Sequence, residues 1–231
     1  MISGKLQELY DRYSSPDAHL VPEGNFVSCG VVNDEAYDSS SPKLVCVLRE
    51  PNDKKQSHNW LIPELLRQRI DKGKLGMWRK VGVWSYAIHN GFPEYTAINN
   101  RHISAKGLKY IGMTNLKKSG GGGTANYQAV REYATKTIEL WKSELEIMNP
   151  DVILCCGTFG IVTDLLGLKT FRMDTQRMKR GYLYYAVWKR DAGNSLLLRF
   201  YHPASRFEKG VLYGLLKEAL VELREKGLWH S

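Results

Sequence analysis

The sequence lacks the motifs that announce the commonest hydrolytic and metal chemistries. Among its 231 residues there is no C-x-x-C pair, no H-E-x-x-H, no G-x-S-x-G elbow and no pairing of His and Cys at metal-ligand spacing. A nucleophilic serine and a bound metal are thereby disfavoured. Only four cysteines occur, Cys29, Cys46, Cys155 and Cys156, and three of them sit in apolar runs where a free thiol packs as a small hydrophobe. Reduced, buried thiols are expected. No apolar run approaches the roughly 18 residues that a membrane span needs, and the opening MISGKLQELYDRY has no apolar centre of signal-peptide type. A cytoplasmic protein with no membrane partner is the expectation. Acidic residues are the last shortage: 24 Asp and Glu face 33 Lys and Arg, a formal charge of +9. Such a balance favours a polyanionic partner, nucleic acid first, although a merely soluble basic protein has the same composition.

With 43% hydrophobic and 25% charged residues, the chain can bury one sizeable core. A single domain over residues 1–231 is expected, with residues 1–40 as an N-terminal arm or decoration made of a short helix, Ile2 to Tyr13, and a Pro, Gly and Ser-rich stretch. KLVCVL, from Lys43 to Leu48, reads as a buried strand that Pro51 ends, because proline has no N–H for a central strand. Further strands are expected at Leu108 to Met113, Val152 to Cys156, Tyr182 to Trp188 and Leu196 to Tyr201. Helical spacing marks Trp60 to Ile70, Met77 to His89, Phe159 to Leu166 and the C-terminal Leu-rich run, with a loop over Gly91 to Arg101. Val130, Tyr133, Ala134, Thr137, Ile138, Trp141, Leu145 and Met148 predict one long amphipathic helix that Pro150 closes. Short strands alternating with helices argue for an α/β fold, a three-layer α/β/α sandwich with a mostly parallel sheet.

In such a sheet ligands bind at the carboxyl edge of the strands. The residues there are Arg49-Glu50-Pro51-Asn52, Thr114-Asn115, Gly157-Thr158 and His202-Pro203, so a carboxylate, an amide and an imidazole converge. The stretch TNLKKSGGGGTAN, Thr114 to Asn126, invites a phosphate-loop reading, but such a loop needs its lysine after the glycines and both lysines here precede them. Gly120 to Gly123 read instead as a pliable bridge that lets a bulky group approach the backbone. Carboxylate, amide and histidine suit a transition state cationic on one side and anionic on the other, as in glycosidic cleavage.

Four short motifs then carry a resemblance. LREP at Leu48 to Pro51, TNLKKS at Thr114 to Ser119, NPDVILCCG at Asn149 to Gly157 and HPAS at His202 to Ser205 follow one another over residues 43–210. This pattern resembles the uracil-DNA glycosylase superfamily, whose motifs take forms such as G-E-A-P at the first strand end and H-P-S at the last. In its iron–sulfur branch the middle motif is close to T-N-V-V-K-C. The resemblance implies a uracil-DNA-glycosylase-like sandwich acting on DNA. Glu50 would activate water or stabilise the cationic sugar, His202 would donate to the departing base, and Asn115, Arg49 and Trp60 would line the base pocket. Lys117, Lys118, Ser205, Arg206 and Phe207 would meet the DNA, the last two as the segment that wedges into the duplex. Leu48 and Arg49 replace the family's glycine and its neighbour, so the resemblance leaves the base open, uracil-like or otherwise modified, including modified bases of phage DNA. Ser119 stands where the branch has a cysteine, and no iron–sulfur cluster or other cofactor is expected.

Each residue also has a plain structural reading. Glu50 can pair with Arg49 or Lys54 on a solvated loop, Asn115 can serve a turn, His202-Pro203 can simply end a strand, and Lys117 and Lys118 can be solvated. Trp84, Trp141 and Trp188 read as core.

Overall fold

Strands buried on both faces are apolar along most of their length, and three segments of this chain have that character, one of them ending in a buried Thr114 and Asn115. The computed structural model describes residues 1–13, 26–53, 58–122, 125–174 and 182–228. Part of the Pro, Gly and Ser-rich stretch, Lys54 and Gly123 lie outside the described residues. In chain order the strands are β1 (Val27–Ser28), β2 (Gly30–Val31), β3 (Leu44–Leu48), β4 (Trp60–Leu61), β5 (Ile111–Asn115), β6 (Val152–Cys156), β7 (Phe171–Arg172), β8 (Tyr184–Arg190) and β9 (Gly193–Phe200). The helices are α1 (Ile2–Tyr13), α2 (Asp34–Asp38), α3 (Ile62–Asp71), α4 (Trp78–His89), α5 (Tyr95–Ile98), α6 (Arg101–Leu108), α7 (Tyr127–Lys136), α8 (Ile138–Met148), α9 (Phe159–Leu165) and α10 (Lys209–Glu225). Every residue of β3, β5 and β6 is buried.

Seven strands form one sheet in the order β2-β5-β3-β6-β9-β8-β7. The four at its centre, β5, β3, β6 and β9, run parallel. β2 is antiparallel to β5 at one edge, and β8 is antiparallel to β9. β7 is antiparallel to β8 and therefore aligned with the central four. The fold is α/β with a mostly parallel central sheet, and β1 and β4 make a separate parallel pair. Because β3 comes first and its successors are added on opposite sides, the strand order reverses beside it, which opens a crevice at the carboxyl ends.

Among the helices α4 contacts α6 and α10, while α1 contacts α8, α8 contacts α7, and α7 contacts α9. α1 forms as the spacing predicts and buries Leu6, Leu9 and Tyr10. Of the first forty residues, expected as an arm or decoration, those three side chains enter the main core and β2 extends the main sheet. Their apolar residues are too regularly spaced to be left in water.

Several boundaries differ from the sequence reading; the expected strands at Tyr182 to Trp188 and Leu196 to Tyr201 are β8 and β9, closer together than the turn reading allowed. The second central strand starts at Ile111 rather than Leu108, since Leu108 ends α6, a helix started by Asn100 accepting from the Ile103 amide at 2.9 Å. The loop expected over Gly91 to Arg101 contains the short α5. The long helix is two: at Thr137, φ −115° and ψ 18°, the chain leaves helical geometry, and the hydroxyl donates back to the Tyr133 carbonyl at 3.0 Å. Unbroken apolar spacing hid that break. α8 ends before Pro150, at Asn149, which adopts the left-handed conformation with φ 46°.

α4 and α6 touch backbone to backbone. A Cβ on Gly82 would lie 2.0 Å from the Ser104 carbonyl oxygen, and one on Gly107 would lie 1.9 Å from that of Gly82. Gly82→Ala or Gly107→Ala is therefore expected to force the helices apart and cost about 1–3 kcal/mol. Gly4→Ala, in the open on α1 with nothing within 4 Å, should instead stabilise by about 0.5–1 kcal/mol. Urea unfolding midpoints of the three variants check both signs.

Candidate functional site

Two parallel strands that end side by side release two loops side by side, and here the loops stay bonded. In register Leu48 pairs with Asn115. Past them, the Leu116 amide donates to the Leu48 carbonyl at 3.0 Å, the Lys117 amide to the Arg49 carbonyl at 2.9 Å, and the Gly121 amide to the Pro51 carbonyl at 3.0 Å. This ladder brings Glu50 against Lys117, whose ammonium donates to Glu50 Oε2 at 2.7 Å. The carboxylate is 7% exposed. Gly121 makes room for it: a Cβ there would lie 2.2 Å from Glu50 Cδ. The bulky group that the glycine run admits is thus the protein's own carboxylate.

Arg49 turns the other way, across the crevice, and its Nε donates to the Gly157 carbonyl at 3.2 Å. His202 follows β9. Its Nδ1 accepts the Ala204 amide at 3.1 Å, which leaves the proton of the neutral ring on Nε2. Burial, then the positive charges of Arg49 and Lys80, hold the imidazole pKa below its ordinary value. A neutral ring with a donating Nε2–H is the outcome at neutral pH. Asn115 is 1% exposed, and its Oδ1 has no hydrogen-bond partner among the described residues. A buried amide oxygen left bare is costly unless something else fills the site.

Arg49, Glu50, Trp60, Asn115 and His202 line one cavity of about 550 Å³. Its apolar wall is supplied by Ile62 and Leu65 of α3 with Met77 and Trp78 around the start of α4. Trp60 belongs to β4 rather than to a helix, and its indole N–H donates to Asp53 at 2.9 Å. Trp78, 7% exposed, and Arg69 also line the cavity and escaped the sequence reading. Neither follows a strand of the main sheet, so the rule that favours strand ends passes them over. The helical periodicity around Trp78 marked it only as helix.

No family model and no curated protein matches the chain. What the arrangement can do rests on its geometry. A carboxylate, a neutral imidazole donor and an open amide face one hollow, and among the described residues no cluster of His, Cys, Asp and Glu is placed to hold a metal. All four cysteines are free and buried. No helix among the described residues is long and apolar enough to cross a membrane.

Two of the cations expected at the surface are engaged elsewhere. Lys117 is the partner of Glu50. Lys118 is 1% exposed and points into the interior, where Nζ lies 2.6 Å from Glu144 Oε1 and donates to Glu144 Oε2 at 2.7 Å and Thr114 Oγ1 at 2.8 Å. It cannot reach a phosphate. Its Nζ also lies 3.4 Å from Cys29 Sγ, and that sulfur accepts the Asn115 amide at 3.3 Å, so the buried pair underpins the Asn115 backbone. Ser205, Arg206 and Phe207 line a second, open hollow of about 520 Å³ with Lys80, Tyr95 and Lys209. There Arg206 is exposed, Phe207 packs edge-on against Tyr201 with ring centroids 4.9 Å apart, and Lys80 donates to the Ser205 carbonyl at 2.6 Å.

Lys118→Met should cost about 3–5 kcal/mol by stranding the Glu144 charge, and adding Glu144→Leu should recover most of it; urea unfolding of both variants tests this. His202 should titrate by NMR below the usual imidazole value, and Arg49→Ala should raise its midpoint. The sign for stability follows: the unfolded chain takes up this proton first, at about pH 6.5. The residue therefore subtracts stability as pH falls from there through the folded midpoint.

Proposed function

We propose that the protein is a monofunctional DNA glycosylase of the uracil-DNA glycosylase kind. It hydrolyses the N-glycosidic bond of a flipped-out base, uracil-like or otherwise modified, and leaves an abasic site. The observation that carries the reading is the gathering of Glu50, Asn115 and His202 around one hollow at the carboxyl edge of the sheet. The two groups of mutually contacting helices are what a three-layer sandwich would have, and the four motifs supply the resemblance.

In this reading the base enters between the apolar wall and Asn115, whose amide offers both donor and acceptor to a pyrimidine edge. The Nε2–H of His202 meets the base oxygen that gains charge as the bond lengthens. A neutral donor there stabilises the leaving anion without first having to lose a proton. Glu50 faces the sugar, where it orients water or offsets the positive charge on the anomeric carbon. Lys117 holds that carboxylate in one orientation. The cavity falls within the roughly 300–1,000 Å³ usual for small-molecule sites, and its arginines and tryptophans suit a decorated base, whether the task is DNA repair or defence against phage.

The Lys117–Glu50 pair favours one other reading, a catalytically silent base-sensing module, because it occupies a carboxylate oxygen that water activation would use. Labelled single-stranded and duplex DNA carrying uracil, hypoxanthine or hydroxymethylated cytosine, incubated with the protein and treated with alkali, separates the two. Strand breaks are expected on at least one substrate. Glu50→Gln and His202→Ala should each slow their appearance by about 100-fold with DNA affinity nearly unchanged. DNA binding without breaks on any substrate would replace the enzyme with the silent module.

A further inference from the structure

Away from the cavity, one strip of the sheet sets cations on aromatic rings. Along β8 the even-numbered residues share a face, and Trp188 there is covered by Trp141 of α8, the rings stacked at 6.0 Å and 17°. Ala186 is buried, Tyr184 half-buried, and Tyr182, just before the strand, is 41% exposed. The helical cover has run out. In its place the Arg199 guanidinium lies 5.5 Å from the Tyr184 ring centroid, and that of Arg172 lies 4.1 Å from the Tyr182 centroid. Arg172 stands opposite Tyr184 in the β7–β8 register.

The strip sits at the same edge as the catalytic candidates. β7 and β9 end there, β8 begins there, and Arg199 precedes His202 by three residues. Neither arginine has a carboxylate partner among the described residues. The acidic residue nearest Arg172 in sequence, Asp174, is paired with Lys226 at 3.2 Å. An arginine held over a ring rather than against a carboxylate keeps N–H groups free for a phosphate, and an exposed tyrosine is a platform for an unpaired base.

We propose that this strip is a track for the DNA strand that leaves the pocket past β9, with Arg172 and Arg199 on its phosphates and Tyr182 stacked on an unpaired base. It rests on the glycosylase reading for its partner, and adds a contact outside that reaction's site. Fluorescence anisotropy with fluorescein-labelled, unmodified single-stranded and duplex oligonucleotides over a salt series tests it. The double variant Arg172→Ala/Arg199→Ala should bind both about tenfold more weakly at moderate salt. Its slope of log affinity against log salt should fall by about 1.5–2 units, and Arg172→Lys/Arg199→Lys should restore that slope. Tyr182→Ala should weaken single-strand binding by about tenfold and leave the slope alone. Unchanged affinity and slope in the alanine variants would overturn the track even if the protein excises bases. Loss of both here, in a protein that releases no base, would sustain the track and sink the pocket's chemistry instead. A parent protein that binds neither oligonucleotide would overturn the track and the glycosylase reading together.

Discussion

Parallel strands normally part company at their carboxyl ends, and in this chain β3 and β5 do not. Their hydrogen bonding continues through three further backbone contacts, from Leu116 to Leu48, Lys117 to Arg49 and Gly121 to Pro51. Everything at the site depends on that continuation. It removes the freedom a loop would otherwise have, so Glu50 meets Lys117 without either side chain having to search. It also presses Gly121 against the carboxylate so closely that no side chain fits at that position. Preorganisation of this kind is bought in the backbone, where it is cheap to maintain, rather than in long side chains, where it costs rotamer entropy.

The layer beneath and the wall above are tied to the same segment. Lys118, next along the chain from Lys117, turns inward to Glu144 and Thr114 and supports Asn115 through Cys29. Its carbonyl accepts the Val27 amide at 2.7 Å, and the adjacent Phe26 carbonyl accepts the Trp60 amide at 3.3 Å. One short stretch therefore positions the Asn115 amide below and the tryptophan at the side. Adjacent lysines do opposite jobs: Lys117 turns out to Glu50 and Lys118 turns in to Glu144.

Much of this was legible beforehand, and the failures are instructive. Glu50, Asn115 and His202 were found because apolar runs locate strands, and strand ends locate the carboxyl edge. Arg49 was at a strand end too, and Trp60 reached the same cavity through the family resemblance. Lys118 was misplaced because composition treats lysine as a surface residue, and only its partner, 26 positions away, shows that its charge is matched inside. Trp78 was missed because its helix approaches the pocket end-on, a relation no local pattern encodes. The division at Thr137 was hidden by periodicity that carries across a single non-helical residue.

The edges of the sheet have a consequence for life at high concentration. A seven-stranded sheet with long bare margins would offer rows of unpaired amides and carbonyls to any neighbouring chain. Here the margins are β2 and β7, two residues each. Gly30 of β2 lies close against Leu6 of α1, and a Cβ added to that glycine would come 3.0 Å from its Cδ1. Arg172 places a charge on the other margin, within the strand itself. β7 pairs with only Tyr184 and Tyr185 of the seven-residue β8, so along the rest of that margin the exposed charge of Lys189 is what works against sideways pairing.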